Sequence, residues 1–94
     1  MEFLRRKDEH MDAWIDAMAE ALGEERLTES EATTLLRAAR DVAHRVERRT
    51  TPLAAFLIGS ATARAVAAGA TRETAIGETL RTVETLLPDR TPED

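Results

Sequence analysis

Between Ala32 and Val46, apolar residues recur at three- and four-residue steps without a miss: Ala32, Leu35, Leu36, Ala39, Val42, Ala43 and Val46. An α-helix brings residues at that spacing onto one side, so this stretch commits the chain to helix-on-helix packing. Its start is marked as well. Thr28-Glu29-Ser30-Glu31 has the capping-box form, in which a hydroxyl accepts the amide three residues on while the glutamate reaches back. The expected helix spans 29–47. Leu36 reads as a core residue whose loss opens a cavity costing roughly 2–5 kcal/mol.

The same period appears on either side. Met11, Trp14, Ile15, Met18 and Leu22 place a first helix that ends at Gly23, a left-handed terminator. Phe3 and Leu4 continue its stripe backwards, so the helix begins near residue 3 or near residue 9. Trp14 reads as core. Thr50-Thr51-Pro52 offers a capping hydroxyl and then a proline at the first helical position, where its missing amide hydrogen costs nothing. The third helix then runs over 52–68 and stops near Gly69. Leu53, Phe56, Leu57 and Ser60 share one of its sides, Ala54, Ile58, Ala61 and Ala65 another, and no charge appears before Arg64. A helix apolar over so wide an arc is buried on more than one side or keeps one side for a partner. Thr71, with Glu73 in the first turn, opens a fourth helix over 72–87, whose buried stripe is Ala75, Ile76, Thr79, Leu80, Val83, Leu86 and Leu87. Pro88 ends it, and 89–94 reads as a mobile acidic tail. No stretch alternates with period two, and no segment repeats. The expectation is an all-α protein, a compact four-helix bundle, with residues 1–88 forming one domain.

Composition narrows the function classes. Apolar residues make up 43% of the 94, but only Phe3, Trp14 and Phe56 are aromatic, so the core is built from small aliphatic side chains and much alanine. Without cysteine there is no disulfide, thiolate metal site or cysteine nucleophile, and the chain leans towards the cytoplasm. The net charge of −5 repels a phosphate backbone, which argues against nucleic acid as a partner. Arg5, Arg6 and Lys7 are followed by Asp8 to His10 where a signal peptide needs an apolar run. The longest uncharged run, Thr50 to Ala63, is well short of the roughly 20 residues that cross a bilayer. A soluble protein without membrane contact is expected.

Candidate chemistry concentrates on the second helix. At about 100° per residue, Arg37, Asp41, His44 and Arg48 fall in one strip opposite the apolar face, flanked by Arg40, Arg45 and Arg49. As a solvated face the strip holds ion pairs such as Arg37 with Asp41, each worth tenths of a kcal/mol. As a docking surface it offers arginine forks to an acidic or phosphate-bearing partner, beside the imidazole of His44. Asp41 and His44 are one turn apart, but no nucleophile is fixed beside them, and an outer helix face lacks a water-excluding pocket; catalysis is not expected. Asp8, Glu9, His10 and Asp12 suit a divalent ion in type, yet charged helix starts commonly look the same, so no metal is expected. The isolated glycines Gly23, Gly59, Gly69 and Gly77 form neither a phosphate-cradling loop nor a dinucleotide fingerprint, and no cofactor is implied. On the third helix, Ala55, Gly59 and Ala63 make a seam of small residues; with Ile58 it suggests self-association, to a homodimer through Ala55, Ile58 and Gly59.

Met11-Asp12-Ala13-Trp14, then Arg40-Asp41-Val42-Ala43-His44 with Val46 and Arg48, then Pro52-Leu53 and Phe56-Leu57 with Gly59, resemble a family of short helical domains of bacteria. Members occur alone or attached after the catalytic domain of molybdenum cofactor guanylyltransferase-like proteins. The resemblance covers roughly residues 11 to 63. It implies an accessory role: binding, positioning or stabilising a cofactor-maturation enzyme. It carries no catalytic residues across, and these 94 residues include no nucleotidyltransferase domain. Arg49-Thr50-Thr51 also departs from the family's less charged link, which contains alanine and proline. The leading expectation is a non-enzymatic protein-interaction domain acting through Arg37, Arg40, Asp41, His44 and Arg48, with a molybdenum cofactor guanylyltransferase as its partner. The alternatives are a self-associating structural module and a direct binder of a phosphate-rich cofactor.

Overall fold

The computed structural model describes residues 2–89, with side chains from Asp12 onwards. Four α-helices follow one another: α1 (Glu2–Leu22), α2 (Glu29–Arg45), α3 (Thr51–Ala67) and α4 (Arg72–Leu86), with a single 3-10 turn, Arg48–Thr50, before α3. No strand occurs among the described residues. The protein is all-α with four helices, the class that the apolar periodicity predicts. The chain divides into two units, Met1–Ala32 and Thr33–Asp94, and α2 runs on unbroken through the division.

In the first unit α1 begins at Glu2, the earlier of the two expected starts. It ends as foreseen: Gly23 takes a φ of 73°, and the Glu24 amide donates back to the Ala19 carbonyl at 2.8 Å, closing a Schellman-type terminus. Thr28 and Glu31 form the capping box reciprocally. The Thr28 amide donates to Glu31 Oε1 at 2.8 Å, and the Glu31 amide donates to Thr28 Oγ1 at 3.0 Å. Arg26 pairs with Asp16 at 3.7 Å. Trp14, expected in the core, is 62% exposed, and Met18 and Leu22 are exposed with it. Besides the first residues of α2, this unit holds a single helix, so nothing within the unit covers that stripe.

The second unit is built on the pairing of α3 with α4. The link of residues 68–71 is short because Gly69, at φ 116°, reverses the chain within one turn. Thr71 then caps α4, its Oγ1 accepting the Thr74 amide at 3.2 Å. Ile58 and Thr62 on α3, with Ala75 and Ile76 on α4, are buried, and so is Val42 on α2. Ala54, Ala61 and Ala65 are partly covered along the same side of α3 as Ile58.

Three expectations give way here. Neither threonine caps α3: the helix already starts at Thr51, whose buried hydroxyl has no hydrogen-bond partner, and the preceding 3-10 turn leaves Thr50 at φ −74°, ψ −21°, helical values, whereas a capping residue needs an extended backbone to aim its hydroxyl at the first amides. Leu36 is not core but 61% exposed. The buried side of α2 centres on Val42 and Glu31, and Leu36 stands roughly 120° away from Val42 at about 100° per residue. Finally, Leu86 is 78% exposed and Val46 50%: Leu86 is the last residue of α4, and Val46 lies just past the end of α2, where the helical stripe no longer holds.

Candidate functional site

The outward side of α2 carries the expected residues in part. Arg37, Arg40 and His44 are exposed, and Asp41 is half-buried and engaged with a neighbouring group. Arg48 does not continue the strip. α2 ends at Arg45, Glu47 is extended at φ −168°, ψ 142°, and Arg48 belongs to the 3-10 turn, where helical projection no longer holds. What the sequence reading missed is Leu36. It starts the i, i+4 ridge Leu36–Arg40–His44, so a large apolar side chain stands in solvent beside two cationic or titratable ones. The apolar stripe hid it, since periodicity says that a residue is apolar on a face but not how far a neighbour reaches around that face.

Arg45 leaves the basic surface altogether. Its side chain is 12% exposed; Nε donates to the Pro88 carbonyl at 2.7 Å, Nη2 to the Leu87 carbonyl at 3.5 Å and Nη1 to Glu84 Oε2 at 3.3 Å. The guanidinium thus satisfies carbonyls at the end of α4 that no further turn could reach. Arg49 pairs with Glu47 at 3.5 Å.

Between α2 and α4 lies a half-open groove of about 150 Å³, lined by Thr34, Arg37 and Ala38 on one side and Leu80, Val83, Glu84 and Leu87 on the other. It is smaller than the roughly 300–1,000 Å³ of small-molecule sites, and it sets a carboxylate beside its one arginine. Neither Asp41 nor His44 lines it. No cluster of three or more metal-ligating side chains occurs among the described residues; the side chains of Asp8, Glu9 and His10 lie outside them. No described helix is long and apolar enough to cross a membrane.

On α3, Ile58 is 8% exposed and faces inward, while Ala55 and Gly59 are exposed. The opposite side carries the large residues: Leu53, Phe56 and Leu57 are 67%, 74% and 67% exposed.

These features define a small helical domain whose outer surface, not an enclosed pocket, carries its chemically distinctive groups. Comparison places it more narrowly: the chain belongs to the family described as domain of unknown function DUF6457, whose model matches residues 6–94. No curated protein and no solved structure matches it.

Proposed function

We propose that the chain is a non-catalytic accessory domain that docks on a protein partner through the outward side of α2. The observation that supports this most directly is Leu36, 61% exposed at the head of the ridge that Arg40 and His44 continue, with Arg37 alongside. Leu36 gives this face an apolar contact, and Arg37 and Arg40 beside it are of the residue type enriched at protein-docking hot spots. The small groove beside Arg37, with Glu84 in its wall, favours this reading over a site for a phosphate-rich cofactor. The partner is drawn from the resemblance: a molybdenum cofactor guanylyltransferase, met in the cytoplasm of a bacterium, which the domain positions or stabilises.

Calorimetry with that enzyme tests the proposal. Leu36→Ala and Arg40→Ala each weaken binding about tenfold or more, the loss of roughly 1.4 kcal/mol that marks a contributing contact. Affinity that stays unchanged in both variants, and in Asp41→Ala and His44→Ala, removes this face from the account.

A further inference from the structure

We draw no further inference here: the strongest candidate, the half-open groove between α2 and α4 with Arg37 in one wall and Glu84 in the other, carries nothing because no feature of the structure shows what fills it.

Discussion

Arg45 fastens the ends of two helices with one side chain. Its contacts at Glu84, Leu87 and Pro88 join residues about forty positions away, so no local pattern announces them, and on a helical projection the residue passes for one more exposed base. Its removal takes a charged, multi-branched donor away from the last carbonyls of α4 and breaks the tie to Glu84. Arg45→Ala should cost about 2 kcal/mol, visible as a lower urea midpoint. Arg45→Lys should restore only part of that, because a single ammonium lacks the planar fork that spans several acceptors. Thr62 poses the opposite case. Its hydroxyl is buried without a hydrogen-bond partner, so Thr62→Val removes a desolvated polar atom at nearly constant shape, and a melting temperature higher than that of the natural chain is expected.

Among the helices, those whose ends are set by neighbours in sequence were legible, and those set by the path of the chain were not. The Thr28–Glu31 box and the Thr71 cap are four-residue signals that need nothing else, whereas Thr50 has the right side chain on the wrong backbone, because the 3-10 turn before it belongs to the route from α2 to α3. Chemical denaturation separates the two: Thr28→Ala should cost about 1 kcal/mol and Thr50→Ala close to nothing. The faces of the helices followed the same division. Periodicity marked the apolar residues of α2 correctly, but the arc that is covered turns towards Val42 and Arg45 and leaves Leu36 outside. Ile76→Ala should therefore cost about 2–5 kcal/mol, while Leu36→Ala should change stability by less than about 0.5 kcal/mol and show its effect in partner binding instead. A large loss of stability from Leu36→Ala would return that residue to the core and withdraw it from the docking surface.

At the scale of the whole molecule, large apolar side chains stay exposed on α1, α2 and α3 alike, and the α2 surface argued for is one of these places. The resemblance directed attention to Asp41 and His44, yet the residue that gives the α2 face its anchor is Leu36, and the large residues left exposed on α3 include Leu53 and Phe56. Neither assignment could be made from the pattern alone, since a stripe meant for a neighbour within the chain and one meant for another molecule read alike. The apolar residues sealed from solvent among those described are few: Val42, Ile58, Ala75 and Ile76. A protein held together by so modest an interior has little free energy in reserve, and anything that grips only its native form shifts the unfolding equilibrium by a large fraction of the total. Heat alone can then serve as the assay: warmed beside a series of unlabelled candidates, the domain should report its true associate by surviving to a visibly higher temperature.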